Sequence, residues 1–129
     1  MAYIELITVL ALLQFLYFGI LVGNARTRYG IKAPAVSGDA MFERYYRVQV
    51  NTLELLVIFL PAMWMASSHI APLWIAALGV VYLVGRFIYQ TSYVKAPEKR
   101  SLGFGLSALP ILILLGVDLV GSLLRLIKY

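Results

Sequence analysis

The sequence of 129 residues is 62% hydrophobic and 13% charged, with a mean hydropathy of +0.87. This composition excludes an ordinary soluble domain and predicts an integral membrane protein that contacts membrane lipids. With no cysteine and one histidine the sequence predicts neither disulfides nor a metal site, and anionic lipid explains its net charge of +5 without nucleic acid as a partner.

Four apolar stretches follow one another along the chain. Residues 55–85 contain no Asp, Glu, Lys or Arg, and as one helix they would be about 46 Å long, against roughly 30 Å of hydrocarbon. Pro72 divides this run, because it disfavours helix at the residue before it and suits the first position of a new helix. We therefore predict an all-α, integral membrane four-helix bundle in a single domain, residues 1–129, with spans at about 3–25, 40–67, 72–94 and 102–125.

The loops between these spans differ in charge. Lysine and arginine are concentrated in the loops at 26–44 and 94–101, whereas the turn at 67–72 contains neither. By the positive-inside rule, both basic loops are predicted to be cytoplasmic, with the two termini on the opposite side of the membrane.

Polar side chains extend the two middle spans at their cytoplasmic ends. On helices with 3.6 residues per turn they form two stripes, Glu43, Arg47, Asn51 and Glu54 on the second span and Arg86, Tyr89 and Tyr93 on the third. An ionised side chain within the bilayer costs about 2.5–3.5 kcal/mol on insertion scales. Both stripes are therefore expected to face protein or a water-filled cleft rather than lipid.

Two interpretations of these stripes remain open from the residues alone. Ion pairs of Glu54 with Arg47 or Arg86 would lock the helices together, and the tyrosines would be interfacial aromatics. The mixture of guanidinium, carboxylate, amide and phenol groups also suits a small zwitterionic ligand that carries carboxylates, peptide groups and an amine.

Two long motifs carry a resemblance to a known family. The first is Glu43-Arg-x-x-Arg-x-Gln-x-Asn-x-x-Glu54, and the second is Gly85-Arg-x-x-Tyr-x-x-x-Tyr-x-x-x-Pro-x-x-Arg-x-x-Gly103. Together with the four spans and the long basic first loop, they resemble the MAPEG family, the membrane-associated proteins in eicosanoid and glutathione metabolism. Within that family the sequence is similar to microsomal glutathione S-transferases of types two and three and to leukotriene C synthases.

The resemblance implies a homotrimer of four-span subunits, with an active site between neighbouring subunits. Glutathione would bind there as co-substrate, and a lipophilic electrophile would enter from the bilayer. The glutathione-binding residues that the resemblance implies are Arg26, Arg47, Gln49, Asn51, Glu54, Arg86, Tyr89 and Tyr93. Arg100 matches the catalytic arginine that holds the glutathione thiolate, so the implied activity is that of a glutathione S-transferase, with glutathione-dependent peroxidase activity from the same thiolate.

Two positions depart from the family pattern. Leu55 stands where glutathione-binding members often have tyrosine directly after the glutamate, so one polar contact is expected to be missing. Thr27 follows Arg26 where leukotriene C synthases have a second arginine, which argues against dedicated epoxide conjugation.

Two other classes of protein are compatible with four short spans. A non-catalytic lipid-binding member of the same family, like the five-lipoxygenase activating protein, would share the fold. A small multidrug transporter would need a carboxylate in the middle of its first span, whereas Glu5 lies at the end of that span.

The one charge in the fourth span, Asp118, is expected to have Ser122 or Arg125 as a structural partner.

Overall fold

The computed structural model describes residues 1–128, and the last residue of the predicted domain, Tyr129, lies outside the described residues. This part of the chain forms four long α-helices and no strand: α1 Ala2–Tyr29, α2 Ala40–Ala66, α3 Pro72–Lys95 and α4 Ser101–Lys128. A single 3-10 turn, Pro97–Lys99, precedes α4. Each long helix is long and apolar enough to cross a membrane. The predicted all-α fold with four spans is therefore confirmed.

Local turn chemistry sets the start of the two middle helices. Asp39 is the N-cap of α2, and its side chain accepts a hydrogen bond from the backbone N–H of Phe42 at 3.0 Å. The carboxylate of Glu43 accepts from the backbone N–H of Gly38 at 3.3 Å, so it fixes the preceding loop. Pro72 is the first residue of α3, as predicted, where its missing N–H has no helical partner to lose.

The four helices pack as a bundle in which α3 and α4 share the most extensive interface and α1 packs against both α2 and α3. The rings of Phe59 and Tyr82 stack at 4.0 Å between centroids in the centre of the apolar core. Two glycines allow α3 and α4 to approach closely. A β-carbon on Gly85 would lie 2.7 Å from the backbone of α4, and one on Gly103 would lie 2.3 Å from the backbone nitrogen of Tyr89.

At the end of the bundle that holds the α2–α3 turn, the structure corrects one prediction. Asp118 is buried, and neither of its carboxylate oxygens has a hydrogen-bond partner among the described residues. Arg125 instead donates to the backbone carbonyl of Ser68 at 2.6 Å, so it ties α4 to the turn. The predicted pairing of Asp118 with Ser122 or Arg125 is wrong, because the Arg125 guanidinium is bound to the carbonyl of Ser68 and no hydrogen bond joins Ser122 to the carboxylate.

Candidate functional site

At the opposite end of the bundle, a cavity of about 400 Å³ opens between α2, α3 and the start of α4. Its lining residues are Arg47, Asn51, Tyr89, Tyr93, Arg100 and Phe104. Five of these six belong to the nine site residues predicted from the sequence. The structure thus brings together five predicted residues that lie as much as 53 positions apart in the chain.

The sixth lining residue, Phe104, was missed by the sequence reasoning. It lies one helical turn after Arg100, and its backbone N–H donates to the Arg100 carbonyl at 3.0 Å. Its ring lies 6.4 Å from that of Tyr89. The spacing of four from Arg100 is the signal that points to it, since positions i and i+4 of a helix share a face.

The two tyrosines form the α3 wall of the cavity. Their rings stack, with 5.4 Å between centroids and an angle of 27° between the planes. Tyr89 is almost fully buried, and its ring also lies 4.3 Å from the guanidinium carbon of Arg86. Tyr93 is half-buried and also lines the cavity.

Arg86 does not line the cavity but lies fully buried behind it. Its guanidinium donates to the hydroxyl of Ser107 at 2.8 Å, to Asn51 Oδ1 at 2.8 Å and to the hydroxyl of Thr52 at 3.2 Å. These acceptors are neutral, and Glu54 is exposed. The ion pair of Arg86 with Glu54, one of the two pairs that the interpretation of the stripes as a structural lock allowed, is therefore not formed.

The contact with Arg86 fixes the orientation of the Asn51 amide. Because Oδ1 accepts from the guanidinium, the NH₂ group of the same amide is left for a ligand in the cavity. The amide thus offers the cavity a donor, which suits a carbonyl or carboxylate oxygen of the ligand.

Three further predicted residues lie away from this cavity. Gln49 faces α1, where its side-chain nitrogen would be 2.9 Å from a β-carbon on Gly19. Arg26 donates to the backbone carbonyl of Ala35 at 2.7 Å and lies 4.9 Å from the ring centre of Phe42. Glu54 is exposed and does not border the cavity.

Helical geometry explains this separation. Gln49 is two residues from Arg47, and two residues turn an α-helix by about 200°, so the two side chains point to opposite sides of α2. Within one chain, the five predicted residues around the cavity therefore lie on one side of α2. Gln49 and Arg26 lie on the other side, where α2 packs against α1.

The chemical character of the cavity follows from its lining. Arg47 and Arg100 are exposed at the surface of the bundle, and each guanidinium carries five N–H donors and no acceptor. Two phenols and the amide of Asn51 complete a surface rich in donors. Such a cavity suits an anionic ligand with several oxygens, and a fixed guanidinium also favours the ionised form of a thiol.

The fold and the site together define a class of protein: a membrane bundle of four helices with a donor-rich cavity at one end. A comparison with known families matches residues 4–120 to the MAPEG family. The chain belongs to this family, which confirms the resemblance drawn from its two motifs.

Individual relatives cover most of the chain. It is 45% identical over 122 residues to an uncharacterized protein of Synechocystis sp., which covers 95% of this chain and 86% of the relative. It is 40% identical over 112 residues to the microsomal glutathione S-transferase 2 of Homo sapiens, covering 85% of this chain and 76% of the relative. It is 32% identical over 122 residues to the leukotriene C4 synthase of Cavia porcellus, covering 95% and 81%.

Proposed function

We propose that this protein is a membrane glutathione S-transferase that joins the thiolate of glutathione to lipophilic electrophiles from the bilayer. The observation that carries the proposal is the meeting of Arg47, Asn51, Tyr89, Tyr93 and Arg100 around one cavity. Relatives named as glutathione S-transferase and leukotriene C4 synthase support it at 40% and 32% identity.

The donors of the cavity complement the acceptors of glutathione, which has two carboxylates and two peptide carbonyls. Arg47 is proposed to bind a carboxylate in bidentate geometry, and the Asn51 NH₂ group to donate to a carbonyl oxygen. Arg86 supports Asn51 from behind, since its position is buried and its contacts are with protein. Glu54, at the exposed edge of α2, is proposed to attract the glutathione ammonium.

Arg100 is the proposed catalytic residue. A free cysteine thiol has a pKa near 8.5, so only a few per cent is the nucleophilic thiolate at neutral pH. Lowering that pKa by about two needs roughly 2.7 kcal/mol of preferential stabilisation of the anion, which a guanidinium beside the sulfur can supply. The ring of Phe104, one turn further along α4, would cover the apolar side of the reacting atoms.

We further propose that the complete site needs two subunits of a homotrimer. The support is the position of Gln49 and Arg26, which face the α1 side of α2, away from the cavity. A neighbouring subunit that placed its α1–α2 side against this cavity would add both residues to the glutathione site. The cavity end, with the two basic loops, is proposed to face the cytoplasm.

Leu55 accounts for one expected difference from family members that have tyrosine at this position. It is half-buried and packs against the apolar core of the bundle rather than lining the cavity. A phenol that other members place here is therefore replaced by an apolar contact. We expect weaker glutathione binding than in such members, and no loss of the thiolate chemistry, which depends on Arg100.

The test is conjugation of glutathione to a chloronitrobenzene by the detergent-purified protein. The thiolate sulfur attacks the ring carbon, a carbon–sulfur bond forms, and chloride leaves with the electron pair of the carbon–chlorine bond. Arg100→Ala is expected to lose most of the activity and the ultraviolet absorbance of the bound thiolate while glutathione still binds. Lys99→Ala, the loss of an exposed cation at the neighbouring position, is the control and should keep both.

Two results would contradict the proposal in different ways. Wild-type activity in Arg100→Ala would remove this arginine from the catalytic role. No conjugation or hydroperoxide reduction by the wild-type protein, together with saturable binding of a fatty acid, would favour the non-catalytic lipid-binding type of family member.

A further inference from the structure

A row of four α3 side chains borders two cavities that the proposed glutathione site does not use. Leu83, Phe87, Thr91 and Lys95 are spaced by four residues, so each lies beside the next along α3, and the row winds about 120° around the helix from Leu83 to Lys95. Leu83 and Phe87 border a cavity of about 350 Å³ against α1, and Thr91 and Lys95 border one of about 490 Å³ against the start of α2. The two cavities follow this row of α3 one after the other and share no lining residue, and we call them together the α3 groove.

The length of the α3 groove matches one leaflet of a bilayer. From Lys95 to Leu83 the row covers twelve residues, or about 18 Å of helix. Half of the hydrocarbon core of a typical bilayer is about 15 Å thick. The groove thus extends from the end of α3, where the chain leaves the membrane, to about the depth at which an acyl chain of the same leaflet ends.

The two ends of the α3 groove differ in chemistry. At the end near the loops lie two cations, Arg44 and Lys95. Arg44 is held in place because its Nη1 donates to the backbone carbonyls of Val94 at 3.0 Å and Lys95 at 3.4 Å. The same contact leaves the other guanidinium nitrogens of Arg44 for a ligand.

The deep end of the groove is apolar. Leu10, Leu13 and Leu83 line it, and the one amide there, Gln14, is 4% exposed and donates to the backbone carbonyl of Leu83 at 2.8 Å. Its contact with the α3 backbone holds α1 and α3 together at this depth. A charged mouth and an apolar floor are the features of a site for an anionic amphiphile.

The α3 groove lies on the side of the bundle that faces away from the proposed subunit contact. Thr91 is two residues from both Tyr89 and Tyr93, so it lies on the opposite side of α3 from the glutathione cavity. Tyr17 is likewise two residues from Gly19, the α1 position that faces Gln49. In the proposed trimer, on which this step rests, the groove would open toward lipid.

We propose that the α3 groove binds one anionic phospholipid of the leaflet on the side of the two basic loops. The phosphate lies between Arg44 and Lys95, and one acyl chain follows Thr91, Phe87 and Leu83 toward the middle of the membrane. Charge complementarity selects the anionic head group, and the length of the groove selects an acyl chain over a short soluble phosphate. The bound lipid would join the start of α2 to the end of α3, on the opposite side of α3 from the glutathione cavity.

The test compares phosphatidylglycerol with phosphatidylcholine of the same acyl chains, added to the delipidated protein in detergent. Native mass spectrometry counts the bound lipids, and the apparent melting temperature reports the stabilisation that binding to the folded state gives. The wild-type protein is expected to bind phosphatidylglycerol in preference. Glycerol phosphate, the soluble head group, is expected to bind far more weakly, and equal binding would show an anion site without a lipid groove.

Two kinds of variant separate the charge from the shape of the groove. Arg44→Gln with Lys95→Gln is expected to weaken phosphatidylglycerol binding about thirtyfold, from the loss of two cations near a membrane surface. Thr91→Trp fills the groove without a change of charge and should weaken binding of the same lipid. The variant should still fold, because the hydrogen bonds of the Thr91 hydroxyl go to carbonyls of its own helix. Lys32→Gln with Lys99→Gln removes two other exposed cations and serves as the control.

The outcomes divide cleanly. Loss of the preference in both groove variants, with the preference kept in the control, supports the site. Wild-type binding in Thr91→Trp, or an equal loss in the control, overturns it in favour of general attraction of anionic lipid to a basic protein. None of these measurements uses glutathione, so failure of the proposed transferase activity would leave the result readable.

Discussion

A pair of glycine substitutions two residues apart on α4 tests whether close approach of α3 and α4 builds the cavity that we propose binds glutathione. A β-carbon on Gly103 would lie 2.3 Å from the backbone nitrogen of Tyr89 and 2.5 Å from its α-carbon. Ordinary contact begins at 3.4 Å, so Gly103→Ala has to move two backbones about 1 Å apart. A β-carbon on Gly105 meets nothing within 4 Å, so Gly105→Ala introduces the same methyl group without a clash.

The expected difference in stability follows from two opposing effects. Alanine is about 1 kcal/mol more favourable than glycine in a helix, so Gly105→Ala should be neutral or slightly stabilising. Overpacking costs about 1–3 kcal/mol, and more where backbone has to move, which outweighs that gain in Gly103→Ala. We expect the free energy of unfolding of Gly105→Ala to exceed that of Gly103→Ala by about 3 kcal/mol, which corresponds to roughly 10 °C in apparent melting temperature.

The displacement of α3 from α4 in Gly103→Ala should also lower the rate of conjugation. Tyr89 lies on one side of the contact, and Arg100 and Phe104 lie on the other, so separation of the helices widens the cavity. A misplacement of about 1 Å can lower a rate about a hundredfold. The assay is kcat/KM for conjugation of a chloronitrobenzene, with melting measured on the same samples. If Gly103→Ala matched Gly105→Ala in stability and activity, the close packing inferred at Gly103 would be refuted.

Three further predictions concern single side chains and subunits. Asn51→Asp keeps the contact with Arg86 but replaces the donor in the cavity by an anion, so glutathione affinity by calorimetry should fall at least tenfold while melting is unchanged. If the site is shared between subunits as proposed, oligomers mixed from Arg47→Ala and Gln49→Ala subunits should recover activity that neither variant has alone, because the proposed site takes one residue from each subunit. Asp39→Ala removes the N-cap of α2 and should cost about 1 kcal/mol, measured as a lower melting temperature.

Each of these has a result that would contradict it. Wild-type affinity in Asn51→Asp would mean that the NH₂ group of the amide does not contact the ligand. Mixed trimers no more active than their parents would place the whole site within one chain. An unchanged melting temperature for Asp39→Ala, with Ser37→Ala as the matched loop control, would show that the α2 cap is not needed for stability.

Much of the candidate site could be read from the spacing of residues along two helices. Arg47 and Asn51 are four residues apart, as are Tyr89 and Tyr93, so each pair had to share a face whatever the rest of the bundle did. The second motif also carried Arg100, which spacing alone would have left as a loop charge. The side of α2 that Gln49 occupies follows from the same periodicity, yet its grouping with the others depended on family resemblance.

The contacts of individual side chains with neighbouring helices could not be predicted from the sequence. Arg86 belongs to the polar stripe of α3, and only the structure shows that it is buried against Ser107 and Asn51 rather than open to a ligand. Asp118 was expected to pair along its own helix, and the structure gives Arg125 to the α2–α3 turn instead. Both outcomes depend on the height and rotation of a neighbouring helix, which no local pattern records.

The sequence by itself determined that this is a membrane protein of four helices, where its helices begin, and to which family it belongs. Proline and N-cap residues act through local backbone geometry and hydrogen bonds, and a run of about 20 apolar residues partitions into the bilayer by itself, so none of these effects depends on the tertiary structure. Only the tertiary structure decided that Gly103 brings Tyr89 against α4, that Phe104 completes the cavity, and that Arg86 holds Asn51. These are contacts between helices, and their free energy depends on distances of a few tenths of an ångström that a linear pattern does not contain.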